Sequence, residues 1–176
     1  MYRKRGENDK AKRVLETALA ANTSDRRLQF SYARLLMDTG ADKDAVLYHL
    51  QRSFTPGDAN YEAQLLFARQ LYIGARADDA KRVFKTLKGA PTSPEVRFAL
   101  YHPLPDEFRG EIVRMEATYC FIARDGIGDW IYAYRDNIGQ TWNALAFRKR
   151  VLFRIAFAFT GPSAFDVRLE VADKAA

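Results

Sequence analysis

The sequence predicts a two-domain protein of the α plus all-β class, because it contains an internal repeat followed by a change of period. Sliding the chain against itself by 35 residues aligns residues 29–45 with residues 64–80. Helical spacing continues to about residue 100, whereas apolar and polar residues alternate beyond it, as in strands. We therefore predict an antiparallel helix-pair solenoid over 1–100, a linker over 101–108 and a small five-stranded Greek-key barrel over 109–176.

The helices of the first half are predicted from short apolar runs with capping residues before them. The run from Ala80 to Leu87 has apolar residues at i, i+3, i+4 and i+7, which is the spacing of one helix face. An aspartate (Asp25, Asp42 or Asp58) precedes three runs and can accept hydrogen bonds from the first turn. The predicted helices cover residues 9–21, 26–39, 43–54, 59–73, 77–88 and 94–100, the last with Ser93 as its cap.

The aligned copies share residues that closely packed helices require. Gln29 matches Gln64, Ala33 matches Ala68, and Gly40 falls between two helices. This pattern resembles tetratricopeptide repeats, which are helix–turn–helix units of about 34 residues. The resemblance implies a groove for a protein partner or upstream domain, or else a spacer for the second half.

Another 34 residues upstream of the first copy, Gly6 and Ala11 stand where Gly40 and Ala45 stand, and this upstream repeat holds only its second helix. We therefore expect the chain to be a piece of a longer protein; the alternative is that the end helix packs on another surface.

The second half is predicted to be a barrel because five segments after the two linker prolines have the alternation of strands. ARDGIGD between the second and third segments predicts a hairpin turn. Five strands with little helix are typical of small barrels of the oligonucleotide-binding type. The five segments are RGEIVRM, TYCFIARD, DWIYAYRD, RVLFRIAFAF and FDVRLEVA.

Aromatic residues occupy alternate positions of the second and third strands. They are Tyr119 and Phe121 on one strand, and Trp130, Tyr132 and Tyr134 on the next. Residues two apart in a strand share a face, so each strand has its rings on one side. An exposed face of this kind can stack unpaired bases, whereas a buried one is core.

Ordered short motifs between residues 109 and 169 resemble a bacterial cold-shock domain. They run G-x-I-V-R, Y-C-F-I, D-G-x-G-D and I-Y-A-Y, and end with G-P-x-A-x-x-V. Phe121 precedes Tyr132 by eleven positions, the family's usual interval between its two aromatic motifs. The chain departs from the family at Met115, where the family has a tryptophan, and at Cys120, where it has a glycine.

The resemblance implies a site for single-stranded nucleic acid and assigns its residues. Rings on adjacent strands would stack bases while basic side chains hold the phosphates. A solvated turn is the alternative for the basic run at 148–150. Carried over by position, the binding residues are the rings Tyr119, Phe121, Tyr132, Tyr134 and Trp142 and the basic residues Arg114, Arg148, Lys149 and Arg150.

Composition indicates which classes of partner and which cellular compartment the protein can have. The net charge of +6 tolerates polyanionic partners, but the basic residues are spread over both halves. The single cysteine, Cys120, excludes an internal disulfide and a cysteine-based zinc site. No run approaches the roughly 20 apolar residues of a membrane span. We expect a soluble cytoplasmic protein without a membrane partner.

No catalytic set is visible in the sequence. His49 and His102 are the only histidines, and each is expected to be structural or at the surface. Gly126 and Gly128 lie in a hairpin without a following lysine, which does not match a phosphate-binding loop. We predict a module without enzyme activity, cofactor or metal that binds single-stranded nucleic acid, RNA being favoured over DNA, while its helices contact a protein.

Two alternatives stay open for the function. In the first, the barrel has lost nucleic-acid binding and the chain is purely a protein-binding scaffold. In the second, the chain is the accessory C-terminal region of a larger enzyme. Rings covered by the helical repeats, or an acidic surround from Glu116, Asp129 and Asp136, would favour the scaffold.

Overall fold

The protein consists of a helical unit followed by a unit built on a closed sheet. The computed structural model describes residues 7–170. The boundary between the two compact units lies between Pro91 and Thr92. Helices fill the first unit, and five strands dominate the second. This layout confirms the predicted fold class.

Each helix of the first unit packs against the next one in the chain, as in a solenoid. The apolar side chains that face one another form a continuous buried core, which includes Ala33, Leu36 and Leu50. The predicted ranges agree with the observed ones to within a few residues. The helices are α1 (Asn8–Ala21), α2 (Arg26–Asp38), α3 (Lys43–Arg52), α4 (Tyr61–Ile73) and α5 (Ala77–Lys88).

Two of the three predicted aspartate caps are confirmed. Asp25 accepts hydrogen bonds from two N–H groups in the first turn of α2, and Asp42 does the same for α3. Asp58 was wrongly predicted to cap α4, because Asn60 is the capping residue. The Asp58 carboxylate instead accepts from the backbone N–H groups of Thr55 and Asn60, so it shapes the preceding loop.

The repeated glutamine has the same structural role in both copies. The side-chain amide of Gln29 donates to the carbonyl of Thr23, and that of Gln64 donates to the carbonyl of Asp58. Both glutamines are buried, and each closes the loop six residues before it. A buried side-chain amide without a hydrogen-bond partner is costly, and the loop carbonyl supplies that partner in both copies.

Both copies also end a helix with a residue in the left-handed conformation. Gly40 follows α2 with φ of 67°, and Ala75 follows α4 with φ of 59°. Hydrogen bonds from Ala41 N to Leu36 O and from Arg76 N to Leu71 O, both 2.9 Å, close the turn in the Schellman manner. The second copy therefore has an alanine, Ala75, at the position where the first copy has Gly40, and glycine is the residue best suited to positive φ.

We expect Ala75→Gly to stabilise the helical unit by about 1 kcal/mol, because a left-handed L-residue costs roughly 1–2 kcal/mol and glycine returns part of this as entropy. Gly40→Ala is the matched control and should lose a similar amount. Chemical denaturation followed by far-ultraviolet circular dichroism measures both. Equal stability of all three proteins would contradict the account.

The second unit is a closed barrel in the order β1-β2-β3-β5-β4. All neighbours are antiparallel except β3 and β5, which pair in parallel over a short register. Register shifts in the β1–β2 and β4–β5 pairings make the barrel irregular. The strands are β1 (Glu107–Met115), β2 (Tyr119–Arg124), β3 (Trp130–Tyr134), β4 (Arg150–Ala158) and β5 (Gly161–Leu169).

The barrel interior holds the side chains that alternation predicts to point inward. These include Ile122, Ile131, Val151, Phe153 and Ile155, all fully buried. β5 begins four residues before the predicted FDVRLEVA segment, at the glycine of the G-P-x-A motif. The predicted hairpin turn is present, closed by Arg124 N bonding to Asp129 O at 3.0 Å.

The segment predicted as a linker, 101–108, is attached to the barrel. Tyr101 and Phe157 exchange two backbone hydrogen bonds of 2.9 Å, and Leu104 N bonds to Ile155 O at 2.8 Å. The short helix α6 (Pro94–Phe98), capped by Ser93 as predicted, also belongs to the second unit. Backbone pairing with β4 explains why the unit begins before the first strand.

A short connection between β3 and β4 is the main element that the sequence did not predict. It consists of α7 (Arg135–Ile138) and a 3-10 helix (Gly139–Ala144). Within residues 7–170, none of the helices has the length and apolar character needed to cross a bilayer.

Candidate nucleic-acid interface

The aromatic face of the barrel consists of Tyr119, Phe121, Trp130, Tyr132 and Tyr134. Its geometry follows from the pairing of β2 with β3, in which Tyr119 lies opposite Tyr134, Phe121 opposite Tyr132, and Ala123 opposite Trp130. Directly opposed residues point to the same side of a sheet. The intervening residues, such as Cys120 and Ile131, are buried in the barrel. All five rings therefore lie on the outer side.

Four of these rings contact one another without being buried. The ring centroids of Tyr119 and Phe121 are 5.8 Å apart, those of Tyr119 and Tyr132 are 5.6 Å apart, and those of Phe121 and Tyr132 are 5.8 Å apart. Trp130 continues the cluster at 6.1 Å from Phe121. Mutual contact holds the rings in place, while their partial exposure leaves surface for a flat ligand. Burial and the nearby Tyr134 and Tyr119 raise the pKa of Tyr132, so its hydroxyl stays neutral.

A bulge in β1 brings Arg114 to the aromatic face. The register passes from Ile112 opposite Ile122 to Arg114 opposite Phe121, which leaves Val113 as the extra residue. Bulges change the side to which the following residues point. Arg114 therefore shares the side of Phe121, and its guanidinium donates to the Glu116 carboxylate at 2.9 Å. This hydrogen bond, followed by the nearby Tyr119, raises the pKa of Arg114.

The same bulge separates Met115 from the rings. Met115 lies opposite Cys120, whose side chain is buried, rather than opposite Phe121. The position beside the rings, where the cold-shock resemblance expects a base-stacking residue, is thus occupied by a cation. Burial raises the pKa of the Cys120 thiol to about 11, which fits an inert core residue.

The backbone of the basic run, residues 148–150, pairs with Glu111 and Ile112 within β1. Arg148 N donates to Ile112 O at 2.8 Å, and Ile112 N donates to Lys149 O at 3.0 Å. Arg148 has a φ of 64°, and its guanidinium lies 5.3 Å from the ring centroid of Phe147. Neither Arg148 nor Lys149 pairs with a carboxylate among residues 7–170, and both side chains are exposed.

Arg150 differs from the other two members of the run. It forms ion pairs with both carboxylate oxygens of Asp125 and with Glu170 at 3.2 Å. The hydrogen bond to Asp125 is the largest cause of its raised pKa, and it lowers the pKa of Asp125 in turn. Arg150 therefore joins the β2–β3 turn to β5 and is less available to a phosphate than Arg148 or Lys149.

Trp142 does not lie on the aromatic face. It belongs to the 3-10 helix after α7, and its side chain is only 7% exposed. The sequence placed it in a loop, where we expected an accessible ring. In the structure it packs as a core residue, so we leave it out of the site.

Trp130 is the residue that the assignment by family position left out. It is 58% exposed on the aromatic face. The signal was present in the sequence, because Trp130 alternates with Tyr132 and Tyr134 in DWIYAYRD. The cold-shock motifs carry no aromatic residue over to this position, and assignment by family position therefore missed it.

Within the described part of the chain, the histidines and acidic residues show no arrangement for metal binding. No group of three or more His, Cys, Asp and Glu side chains in residues 7–170 could hold a metal ion. His49 lies in the helical unit, where its Nδ1 is 2.6 Å from Oε1 of the buried Gln29 and its ring packs edge-on against Tyr32. Burial, followed by the nearby Arg52, lowers the pKa of His49.

Comparisons with known proteins do not assign a family. No protein-family model matches the chain, and a search of curated proteins found no match. The interpretation of the aromatic face therefore depends on the residues and on their geometry.

Proposed function

We propose that this chain binds single-stranded nucleic acid on the aromatic face of a cold-shock-like barrel. The observation that supports the proposal is the common outward side of Tyr119, Phe121, Tyr132 and Tyr134, all partly exposed. The first three of these rings also contact one another. Base–aromatic stacking contributes about 1–3 kcal/mol per base and accepts every base. Binding should therefore be strong enough to measure and tolerant of sequence.

The spacing of the rings favours single strands over duplexes. Residues two apart on an antiparallel strand are about 6.8 Å apart along it. Stacked bases in a duplex are about 3.4 Å apart. Bases that occupy successive rows of the aromatic face cannot remain stacked on each other, so the ligand must be unpaired or become so.

Three cations beside the rings would hold the phosphates. Arg114 shares the side of Phe121, and Arg148 and Lys149 come just before β4, with their backbone bonded to Ile112 of β1. The Arg114–Glu116 pair is highly exposed, so a phosphate can replace Glu116 at little cost. With RNA favoured over DNA, the 2′-hydroxyl would supply the discrimination.

The helical unit is proposed to be a tetratricopeptide-like scaffold for a protein partner or an upstream domain. The repeated roles of Gln29 and Gln64, and of Gly40 and Ala75, support an origin from duplicated helix pairs. Stacked helix pairs of this kind form extended concave binding surfaces. A pull-down with the helical unit alone would need that unit to fold, so the full chain is the appropriate bait.

Fluorescence anisotropy with labelled oligo-U, oligo-dT and a duplex of equal length tests the proposal. We expect both single strands to bind at low salt, the duplex to bind more weakly, and affinity to fall as salt rises. Absence of binding at high micromolar protein would refute the proposal for this chain and would favour a purely protein-binding scaffold or an accessory region of a larger enzyme.

The double variant Arg148→Gln/Lys149→Gln should make the salt dependence shallower. Each phosphate contact to a single strand contributes about 0.7 to the slope of log affinity against log salt, so loss of two should reduce it by about 1.4. Titrations at several salt concentrations measure the slope. Lys85→Gln/Lys88→Gln on α5 removes the same charge from the helical unit and should leave it unchanged. Equal slopes for both double variants would exclude the 148–149 segment as a phosphate contact.

A further inference from the structure

Trp130 stands at the end of the aromatic face that is nearest the β2–β3 turn. Its only described ring contact is with Phe121, at a centroid distance of 6.1 Å and an interplanar angle of 45°. The residue opposite it on β2 is Ala123, whose side chain is too small to cover an indole. The ring is therefore anchored on one side and open on the other.

We propose that Trp130 forms a separate base-binding position, which extends the site by one nucleotide toward the β2–β3 turn. This inference rests on the proposed function. It adds a third row to the platform: Tyr119 with Tyr134, Phe121 with Tyr132, and Trp130 alone. Along β3 these rows are two residues apart, which is the same step for each.

Hydrogen bonds fix the turn before Trp130 and thereby hold the indole in a position that a base can contact. The Arg124 guanidinium donates two hydrogen bonds of 2.9 Å to the carboxylate of Asp129. Two backbone bonds, Arg124 N to Asp129 O and Gly128 N to Arg124 O, close the same turn. The guanidinium also lies 5.1 Å from the ring centroid of Phe108 on β1. A rigid position loses little conformational entropy on binding.

Folding gains little from the indole in this position. More than half of its surface is exposed, whereas the neighbouring Ile131 is fully buried. Covering an exposed indole with a base removes a large apolar area from water. The outer row has one aromatic side chain and accommodates one base, whereas each of the other two rows has two rings, so the shortest oligomers are expected on those rows.

Oligo-dT of increasing length, from about two to about eight nucleotides, tests the position. We expect Trp130→Ala to bind the shortest oligomers as the wild type does. The longer oligomers should lose between about fivefold and 150-fold in affinity, the effect of one stacked base. Trp130→Phe keeps a flat ring and should restore most of that loss. Circular dichroism establishes that both variants are folded.

Tryptophan emission gives a second readout of the same position. The chain has two tryptophans, and Trp142 is buried, so quenching by a bound oligomer reports on Trp130. We expect quenching in the wild type to appear only with oligomers long enough to reach the third row. Trp130→Phe should bind without this quenching.

The outcomes separate the two proposals. Two results would overturn the third position alone. In the first, the wild type binds long oligomers without a change in tryptophan emission. In the second, the wild type binds long oligomers no more tightly than Trp130→Ala does. A loss in Trp130→Phe equal to that in Trp130→Ala would overturn stacking by this residue. Wild type that binds no oligomer would overturn the proposed function, and the third position with it.

Discussion

Phe121→Ala/Tyr132→Ala is expected to weaken single-strand binding by about 30-fold or more. The two rings lie opposite each other in the middle row, with centroids 5.8 Å apart, and each contacts Tyr119. Removing two stacking rings costs at least about 2 kcal/mol at the lower estimate of 1 kcal/mol per base. Every 1.4 kcal/mol is a tenfold change in affinity, from which the expected loss follows. Anisotropy titrations at low salt measure it.

The matched control exchanges the two side chains without removing a ring. Phe121→Tyr/Tyr132→Phe keeps both aromatic surfaces and moves one hydroxyl across the pair. We expect this protein to bind nearly as tightly as the wild type, because stacking depends on the rings. A loss as large as that of the alanine variant would contradict stacking as the source of affinity. Because both rings are only partly buried, we expect both variants to fold, with Trp142 emission as the check.

Local signals explain which elements the sequence predicted. The helices of the first unit have apolar residues at helical spacing, and α2, α3 and α4 have side-chain caps, so their bounds agreed to within a few residues. The one wrong cap, Asp58, lies two residues before Asn60, and both side chains can accept from a first turn. Only the path of the loop decides between them, and that path depends on the buried Gln64, which donates to the carbonyl of Asp58.

The bulge at Val113 could not be predicted from alternation. An inserted residue changes the side of the sheet to which the following side chains point. The sequence of one strand does not show its register with the neighbouring strand, so the insertion cannot be located from it. The family alignment placed Met115 where a ring is expected, whereas the structure has Arg114 beside Phe121. The burial of Trp142 could not be predicted for a similar reason. Its ring lies in a short 3-10 helix, and tertiary packing, which the local sequence does not specify, decides whether such a ring is buried.

Electrostatic pairing was also invisible in the sequence. The basic run was treated as three equivalent cations, yet Arg150 is joined to Asp125 and Glu170, which lie 25 residues before it and 20 after it. Of the acidic residues that would have favoured a protein scaffold, Glu116 and Asp129 are paired with Arg114 and Arg124. The Asp129 carboxylate is therefore neutralised by Arg124 and does not oppose a polyanionic ligand, whereas Glu116 gives up Arg114 when a phosphate binds.

Gly110→Ala is expected to destabilise the barrel by about 3 kcal/mol, the upper end of the cost of overpacking. Gly110 is buried on β1 between β2 and β4, paired with Arg124 and Val151. A Cβ there would overlap the backbone carbonyl oxygen of Ala123 and would stand 2.8 Å from the Ile122 Cγ2 atom. The carbonyl cannot move away without disrupting the pairing of β1 with β2.

Tryptophan emission during urea denaturation measures this effect, because Trp130 and Trp142 both lie in the second unit. The matched control is Gly126→Ala in the same unit, where a Cβ would meet nothing within 4 Å but φ is 74°. Its expected cost is the backbone strain alone, roughly 1–2 kcal/mol. If Gly110→Ala unfolded at the same urea concentration as Gly126→Ala, the close approach of β1 to β2 would not require glycine. A clearly lower midpoint for Gly110→Ala would establish that the glycine of the G-x-I-V-R motif is there because neighbouring backbone occupies the space of a side chain.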